Sequence, residues 1–348
     1  MMKRTRLAIV GCGGMSEVHT QRFFKLGDRL HVVACVDIIE ERARAAAAMF
    51  PGAKAATDHR TVLDDVDAVL LVLPHHLHAP IGIDCLLAGK HVLLEKPMAN
   101  TEQECLELIA ASEKAGRVLM IAYCMRYHPL VVRMKELLDA KRYGEVFQVS
   151  IWTEQLTIYP PGHWAVKAET LGGGQFFSHG CHYIDILLWF LGRPVCGSHL
   201  GTNLGTPWME REGTSNVTIQ FESGALGYHF GTWGARGTRL GYSFHAHCTE
   251  GMLEARFTEN KLIFHHGGKE EVLLETEPGK HTENEMAHFL DCIETGRRPL
   301  TDGPGSLQGL RVIWRLYEAE QKGVVADLRG LGLDEIDPQS LKPIRRSK

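Results

Sequence analysis

The first third of the chain alternates short aliphatic runs with segments of helical periodicity. The aliphatic runs predict five strands, over residues 7–10, 32–36, 68–73, 91–94 and 118–122. The segments between them predict helices: residues 40–49 are rich in Ala and Arg, and Thr101 with Glu104 forms a capping box for a helix that stops at Gly116. Strands and helices that alternate in this way are typical of βαβ units, so residues 1–124 predict an α/β domain with a parallel sheet.

The rest of the chain has a different pattern, in which polar and apolar positions alternate along successive short segments. Six strands are predicted, over residues 145–152, 216–221, 225–231, 242–249, 252–257 and 261–264. Helices are predicted over residues 130–140, 180–191, 282–295 and 306–322. Because tight turns join several consecutive strands, we expect a large, mainly antiparallel sheet. The predicted fold class is therefore α/β plus α+β, with domains over residues 1–124 and 125–348.

Composition narrows the class of protein. The 348 residues are 44% hydrophobic and 23% charged, with a formal net charge of -4, which is typical of a globular protein and excludes a basic surface for nucleic acid. No apolar run approaches the length needed to cross a membrane, and the amino terminus lacks the features of a signal peptide. Nine scattered cysteines without a Cys-x-x-Cys pair are typical of reduced thiols, so we expect a cytoplasmic protein.

A glycine-rich turn directly follows the first predicted strand. The turn consists of Gly11, Cys12, Gly13, Gly14 and Met15, and a helical pattern continues from Ser16. Gly11 permits a tight turn, and Gly13 lets the backbone approach a pyrophosphate, which the free N–H groups of a helix amino terminus bind. The small Ser16 replaces a third glycine and still permits close packing of helix against strand. The turn predicts a Rossmann dinucleotide-binding domain.

Asp37 ends the second predicted strand, about twenty residues beyond the glycine-rich turn. A carboxylate at this point can accept hydrogen bonds from the ribose hydroxyls of an adenosine, and it would repel the 2′-phosphate of NADP. Ile38 and Ile39 supply no cation for such a phosphate. We therefore expect NAD as the cofactor. The alternative interpretation of Asp37 is an N-cap for the next helix.

Several motifs together resemble the Gfo/Idh/MocA family, which takes its name from glucose-fructose oxidoreductase, inositol dehydrogenase and rhizopine catabolism. The motifs are the glycine-rich turn, Leu73-Pro74 with His78, residues 89–97 ending in Glu95-Lys96-Pro97, the glycine-rich residues 172–185, and residues 295–299. The resemblance covers nearly the whole chain. It implies an NAD-dependent oxidoreductase that transfers hydride between nicotinamide and a secondary hydroxyl or ketone of a sugar, cyclic polyol or glycoside.

The resemblance also implies roles for individual residues. Lys96 would emerge at the carboxyl end of a parallel strand, where such sheets bind ligands, and would stabilise a developing alkoxide. His182 matches the general acid/base of the family, a task that suits histidine because an unperturbed imidazole titrates near neutral pH. The implied cofactor contacts are Gly11, Cys12, Gly13, Gly14, Met15, Asp37, Leu73, Pro74, His75, His78, Glu95, Lys96 and Arg126. The implied substrate contacts are Lys96, Tyr123, Arg126, His163, Trp164, Ser178, His179 and His182. For the aromatic residues core packing is the alternative, and for Arg126 a surface charge.

The chain departs from the family pattern at Ser178, where members commonly carry Asp. Serine supplies no negative charge to raise the basicity of His182. Ser178-His179-Gly180 is similar instead to the Thr-His-Gly motif of NAD-dependent glycosidases, which cleave by oxidation, elimination, hydration and reduction. Such a glycosidase is the alternative function. A non-catalytic NAD-binding sensor is a second alternative, although it would need neither Lys96 nor His182.

The remaining expectations concern metals and partners. Histidines cluster at residues 75–78 and 245–247 without cysteine or carboxylate partners at zinc-like spacing, so no metal site is expected. We expect a small sugar or polyol as the substrate, and neither nucleic acid nor membrane as a partner. We expect a homo-oligomer, a dimer or a tetramer, because a partner subunit would bury the exposed apolar face of the second sheet.

Overall fold

The computed structural model describes residues 4–333, which fold as two compact units. The first unit comprises residues 4–127 and Lys280–Ser306, and the second comprises His128–Gly279 and residues 307–333. The first unit thus contains a segment, residues 280–306, that a single boundary after residue 124 assigns to the second domain.

A six-stranded parallel sheet forms the centre of the first unit, with strand order β3-β2-β1-β4-β5-β6. The elements of this unit are β1 (Thr5–Val10), α1 (Gly14–Thr20), β2 (Leu30–Val36), α2 (Glu40–Ala47), β3 (Lys54–Ala56), β4 (Ala68–Leu71), α3 (His78–Leu87), β5 (His91–Glu95), α4 (Glu102–Ala115), β6 (Leu119–Ala122) and α9 (Thr282–Thr295). Strands buried on both faces are aliphatic almost throughout, which is why the five predicted strands could be recognised. The parallel α/β sheet is confirmed, and its strand order is that of a dinucleotide-binding sheet.

The sixth strand, β3, has no sequence pattern that predicts it. Its residues Lys54, Ala55 and Ala56 are exposed or partly exposed, and the strand lies at the edge of the sheet beside β2. Short edge strands of this kind carry little hydrophobic pattern because only one side pairs and little is buried.

The capping box predicted for α4 is confirmed. The Thr101 hydroxyl accepts a hydrogen bond from the Glu104 N–H at 3.2 Å, and the Glu104 carboxylate accepts one from the Thr101 N–H at 3.0 Å. Gly116 ends the helix in the left-handed conformation, at φ +61.

Helix α9 belongs to the first unit because its apolar face packs into the core of that unit. Met286, Phe289 and Leu290 lie in one buried cluster with Leu7 and Ile9 of β1. The sequence distance between α9 and β1 hides this relationship from any local pattern.

A nine-stranded sheet forms the centre of the second unit, with strand order β14-β13-β12-β11-β7-β10-β9-β8-β15. The elements are α5 (Pro129–Asp139), β7 (Val146–Glu154), α6 (Ala168–Leu171), α7 (Gln175–Ser178), α8 (Cys181–Leu191), β8 (Pro194–Thr202), β9 (Thr214–Phe221), β10 (Leu226–Thr232), β11 (Tyr242–Cys248), β12 (Gly251–Arg256), β13 (Lys261–His266), β14 (Lys269–Glu275) and β15 (Ala326–Asp327). Helix α10 (Gly303–Lys322) begins in the last residues of the first unit and continues in the second. The large, mainly antiparallel sheet is confirmed.

One pairing departs from a simple meander, because β7 and β10 are parallel neighbours. Parallel strands need a long crossover connection, and here the chain between them forms α6, α7, α8, β8 and β9. Strands β8 and β14 were not predicted: β8 contains Pro194 and two glycines, and β14 is largely exposed and rich in charge.

No helix among residues 4–333 is both long enough and apolar enough to span a membrane.

Candidate active site

The glycine-rich turn connects β1 to α1 and passes very close to the chain that leaves β4. Gly11 adopts φ +94, and a Cβ atom added to it would lie 2.0 Å from the carbonyl oxygen of Val72. The Gly11 N–H donates to the carbonyl of Val36 at 2.8 Å, which ties the turn to β2 as well. Only glycine satisfies both the positive φ and the close approach.

Gly13 and Gly14 are glycines for a different reason. A Cβ atom added to either would meet no atom within 4 Å, so the space in front of the first turn of α1 is open. Gly13 is the N-cap residue of α1 and provides no side-chain cap, which leaves the amino-terminal N–H groups of the helix accessible to a phosphate. Ser16, two residues after Gly14 in α1, is buried. This arrangement fits the pyrophosphate of a dinucleotide.

Asp37 directly follows β2 and is hydrogen-bonded to the glycine-rich turn. Its Oδ2 accepts the N–H of Cys12 at 2.9 Å, and its Oδ1 accepts the N–H of Ile39 at 2.9 Å. The carboxylate is therefore fixed beside the turn, and each oxygen retains the capacity to accept a ribose hydroxyl. Helix α2 begins at Glu40 with Ile39 as its N-cap residue, so the N-cap interpretation of Asp37 is wrong.

Lys96 directly follows β5, at the carboxyl end of a parallel strand as predicted. Its backbone N–H donates to Oε2 of Glu95 at 3.1 Å, and Oε1 of the same carboxylate lies 2.7 Å from Nε2 of His19 on α1. Burial raises the pKa of Glu95, but the hydrogen bond and charge of His19, together with the charges of Lys96 and Lys280, outweigh burial and lower it to about 2. Glu95 therefore stays ionised and links the helix of the glycine-rich turn to the backbone of Lys96.

His78 links two loops at the same edge of the sheet. Its Nδ1 lies 2.7 Å from the carbonyl oxygen of Pro97 and its Nε2 lies 2.9 Å from that of Leu73. Burial lowers the pKa of His78, while the two carbonyls oppose this effect. The ring has no exposed surface. Its position supports a role in holding the loop that carries Lys96, and gives no support to a direct contact with the cofactor.

The other predicted residues of the first unit also lie at the carboxyl ends of strands. Leu73 and Pro74 follow β4, and buried His75 begins a short 3-10 turn. Tyr123 and Arg126 follow β6, and the Arg126 N–H donates to the Tyr123 carbonyl at 2.9 Å. Both side chains are buried, so the surface-charge interpretation of Arg126 is wrong. Their contacts with cofactor and substrate stay predictions.

Three residues near the carboxyl edge of the six-stranded sheet were not predicted from the sequence. His19 acts through Glu95, which lies 76 positions away, and the ammonium of Lys280 lies 3.7 Å from the sulfur of Met15, 265 positions away. Glu285 on α9 is fully buried, and within residues 4–333 neither of its carboxylate oxygens has a hydrogen-bond partner. No local pattern identifies them, since each acquires its neighbours only in the folded unit.

In the second unit, the structure brings together three predicted residues, Ser178, His179 and His182. Ser178 ends α7, and His182 is the second residue of α8, with its N–H donating to the carbonyl of His179 at 3.3 Å. The rings of His179 and His182 meet edge to face at a centroid distance of 6.3 Å. Gly180 makes this tight junction possible, because an added Cβ atom would lie 2.4 Å from the carbonyl oxygen of Phe176.

His179 is held by polar side chains from three elements. Its Nε2 lies 3.2 Å from the hydroxyl of Tyr183 and 3.3 Å from that of Tyr242, and its Nδ1 lies 3.3 Å from the amide nitrogen of Gln175. Gln175 in turn accepts a hydrogen bond from the hydroxyl of Ser215 at 3.0 Å. Gln175, Tyr183 and Tyr242 carry no sequence signal that predicts these contacts.

Trp164 begins a short 3-10 turn of the second unit, and His163 is the N-cap residue of this turn. Nδ1 of His163 accepts the N–H of Ala165 at 3.1 Å, its ring stacks on Tyr159 at 4.8 Å, and burial lowers its pKa. Trp164 packs against the buried cluster that contains Trp233. Core packing is therefore supported for Trp164, and the substrate contacts of both residues stay predictions. Within residues 4–333, no group of three or more His, Cys, Asp or Glu side chains could hold a metal ion.

The predicted cofactor residues and Lys96 thus belong to the first unit, whereas His163, Trp164, Ser178, His179 and His182 belong to the second.

Two family matches cover most of the chain. Residues 5–123 match the oxidoreductase family with an NAD-binding Rossmann fold, and residues 131–254 match the GFO/IDH/MocA C-terminal domain.

Similar proteins include dehydrogenases of small polyhydroxy compounds. Inositol 2-dehydrogenase 2 of Saccharopolyspora erythraea is 31% identical over 225 residues, which are 63% of this chain and 64% of that protein. The D-xylose 1-dehydrogenase (NADP(+)) 2 of Haloferax volcanii is 28% identical over 274 residues, 76% of this chain and 81% of that protein. The aldose-aldose oxidoreductase of Caulobacter crescentus, solved with glycerol, has a TM-score of 0.84 and 26% identity, and the match covers 94% of this chain and 100% of that one.

Proposed function

The chain belongs to the GFO/IDH/MocA family of oxidoreductases, and from this premise we propose that it is an NAD-dependent dehydrogenase of a sugar, cyclic polyol or glycoside. The reaction is hydride transfer between the cofactor and a secondary hydroxyl or ketone. The observation that carries the proposal is the fixed position of Lys96, at the end of β5 with its backbone held by the ionised Glu95. The dehydrogenase activities of the relatives support the same reaction class.

Bound NAD supplies the hydride acceptor, and the side chains of the chain control the proton and the charge. The ammonium of Lys96 donates a hydrogen bond to the reacting oxygen and stabilises the alkoxide character that develops on it. His182 takes the hydroxyl proton as the general base, or returns it in the reverse direction. Ser178 and His179 shape the hydrogen bonding around His182.

We propose NAD rather than NADP as the preferred cofactor. The family domain binds NAD or NADP, and the Haloferax volcanii relative is an NADP(+) enzyme, so membership alone leaves the choice open. Asp37 supports NAD because its carboxylate is fixed beside the glycine-rich turn by the N–H of Cys12. The two residues that follow, Ile38 and Ile39, are exposed and uncharged, so neither would bind a 2′-phosphate.

The glycosidase alternative depends on His179 as the acting residue of a Thr-His-Gly-like motif. Both ring nitrogens of His179 lie within hydrogen-bond distance of side chains of its own unit, those of Gln175, Tyr183 and Tyr242. A histidine whose two ring nitrogens both have such partners is suited to position neighbouring side chains rather than to exchange a proton with a substrate. This arrangement favours the dehydrogenase, in which His182 exchanges the proton.

We also propose a homo-oligomer formed through the open face of the nine-stranded sheet. Trp152 and Phe230 are neighbours across β7 and β10, and Trp152 contacts Tyr228 at a centroid distance of 5.4 Å. All three are only partly buried, whereas Ile151 and His229, which alternate with them, are fully buried on the other face. A second copy of the same face would cover this aromatic patch.

The activity test uses purified protein with NAD and a panel of polyols, free sugars and aryl glycosides. NADH formation supports the dehydrogenase, and aglycone release without net NADH identifies the glycosidase. If neither product forms, the non-catalytic NAD-binding sensor is the remaining hypothesis.

Lys96→Ala and His182→Ala should each lower kcat about a hundredfold or more, the scale of a lost acid/base group, and spare NADH binding. Lys114→Ala, which removes an exposed lysine of α4, is the matched control.

His179→Ala separates the two chemistries. If His182→Ala remains active while His179→Ala is inactive, proton transfer belongs to His179 and the glycosidase alternative replaces the dehydrogenase.

A further inference from the structure

A cavity of about 600 Å³ lies at the amino edge of the six-stranded sheet, in the first unit. Its walls are residues at or just before the starts of β1, β4, β5 and β6, together with the carboxyl end of α9. We call it the amino-edge cavity. Lys90 lies at this edge and Lys96 at the other end of β5, about 20 Å away at the rise of an extended strand. The cavity is therefore separate from the edge that carries the glycine-rich turn.

The charged side chains of the amino-edge cavity are mostly cations. Arg4, Arg6, Lys90 and Arg117 line it, against the carboxylates of Asp67 and Glu294. Arg6 is neutralised by Asp67, which accepts hydrogen bonds from two of its guanidinium nitrogens at 3.0 and 3.1 Å. Arg4 is paired with Asp28 outside the cavity, at 4.0 Å. Lys90 and Arg117 remain against the single carboxylate of Glu294, so the cavity retains a positive charge.

Lys90 and Arg117 are the cations best placed to receive a ligand. Nε of Arg117 donates to the carbonyl of Gly89 at 2.5 Å, which fixes the guanidinium beside Lys90. Within residues 4–333, neither the other guanidinium nitrogens of Arg117 nor the ammonium of Lys90 makes a hydrogen bond or an ion pair. This half-buried ammonium and guanidinium line one cavity without an ion-pair partner among residues 4–333, and two such cations form a site for an anion.

The wall formed by α9 has the opposite polarity. The helix ends at Thr295, and Ile293, Glu294 and Gly296 line the cavity. The last turn of a helix leaves carbonyl groups without helical partners and carries partial negative charge, so it accepts hydrogen bonds from hydroxyl groups.

We propose that the amino-edge cavity binds a small phosphate ester that also carries hydroxyl groups, such as a sugar phosphate. The phosphate lies against Lys90 and Arg117, and the hydroxyl groups donate to the end of α9. The volume of about 600 Å³ is within the range of small-molecule sites. The cavity shares no residue with the proposed cofactor and substrate contacts, so the proposal stands independently of the proposed function.

The test is calorimetric titration of the protein with glucose 6-phosphate, inorganic phosphate and glucose, in the presence of saturating NAD. Saturating NAD keeps the glycine-rich turn filled, so the phosphate of the probe cannot bind there. Lys90→Gln and Arg117→Gln should each weaken glucose 6-phosphate binding about tenfold or more, the effect of losing one charge-assisted hydrogen bond. Lys114→Gln, on α4 and outside the cavity, should leave the affinity unchanged.

A second measurement covers the case in which Arg117→Gln disturbs the fold. Glucose 6-phosphate should raise the Tm of the wild type and of Lys114→Gln, and should raise that of Lys90→Gln much less. Equal affinity of the wild type and the Lys90→Gln/Arg117→Gln double variant would overturn the proposal, as would the absence of saturable binding. Binding of inorganic phosphate as tight as that of glucose 6-phosphate would overturn the assignment of a hydroxyl-bearing ester.

Discussion

The carboxylate of Asp37 has two roles. It accepts hydrogen bonds from the backbone, and we propose that it selects the cofactor. Asp37→Asn keeps an oxygen for the N–H of Cys12 and removes the negative charge. We expect the preference for NAD over NADP to narrow about tenfold, because repulsion of the 2′-phosphate and a charged acceptor for the ribose are both lost. Titration of NADH and NADPH into both proteins measures the ratio. Equal affinities of the wild type for the two cofactors would show that Asp37 has no selective role.

Gly11 and Gly13 lie in one turn, but substitution of each should affect a different property: stability for Gly11 and NADH binding for Gly13. Gly11→Ala places a Cβ atom 2.0 Å from the Val72 carbonyl oxygen at a positive φ. We expect a loss of roughly 2–4 kcal/mol of unfolding free energy from backbone strain and overpacking. Gly13→Ala meets open space at φ -88, so it should leave stability nearly unchanged and weaken NADH binding.

Denaturant unfolding and NADH titration of the two variants give the comparison. A stable Gly11→Ala protein would mean that the turn can move away from the chain after β4. Full NADH affinity in Gly13→Ala would mean that the pyrophosphate does not approach the first turn of α1.

At the scale of elements, α9 brings a buried acid into the first unit. Burial raises the pKa of Glu285 well above its usual value, the nearby Glu95 carboxylate adds to this rise, and Lys280 opposes it. Burial raises the pKa of the nearby Cys124 thiol to about 12, and Glu285 adds to this rise. Glu285 has no hydrogen-bond partner within residues 4–333 and the ionised Glu95 lies nearby, so both its burial and this charge favour the protonated carboxyl group in the folded protein.

The consequence is a loss of stability as the pH rises. The carboxyl group of the unfolded chain ionises with a pKa of about 4.3, whereas that of the folded protein remains protonated to higher pH. Between these two pKa values the unfolding free energy falls by up to about 1.4 kcal/mol per pH unit. Glu285→Gln stays neutral and lacks this loss. Its unfolding free energy should therefore exceed that of the wild type by an amount that grows with pH.

Urea unfolding between about pH 5 and pH 8 measures this difference. Glu113→Gln, on the exposed side of α4, is the control and should follow the wild type at every pH. A constant difference between Glu285→Gln and the wild type across this range would contradict a protonated Glu285.

At the scale of the whole molecule, the aromatic patch on the nine-stranded sheet should govern assembly. A Trp152→Lys/Phe230→Lys double variant places two charges on the proposed contact face and should be monomeric at micromolar concentration, because like charges would meet across the proposed two-fold contact. Leu106→Lys, which changes an exposed apolar residue of the first unit, is the control and should assemble normally. Light scattering after gel filtration gives the masses. A monomeric wild type would overturn the proposal of an oligomer.

The sequence alone predicts those features of this protein that can be recognised from residues close together in the chain. Buried parallel strands impose continuous aliphatic runs, a capping box is complete within four residues, and the glycine-rich turn is recognised from its glycine spacing directly after a strand. The position of Lys96 at a strand end follows from the same patterns. The role of His182 is different, because it came from the family resemblance and stays a prediction.

The tertiary structure decided whatever depends on residues distant in sequence. The pairing of His19 with Glu95, the approach of Lys280 to Met15, and the packing of α9 against β1 join positions that carry no mutual signal along the chain. The parallel pairing of β7 with β10 and the fixing of His179 by Tyr242 are of the same kind. Periodicity reports which face of an element is buried, but the partner that buries it is chosen by packing of the whole unit.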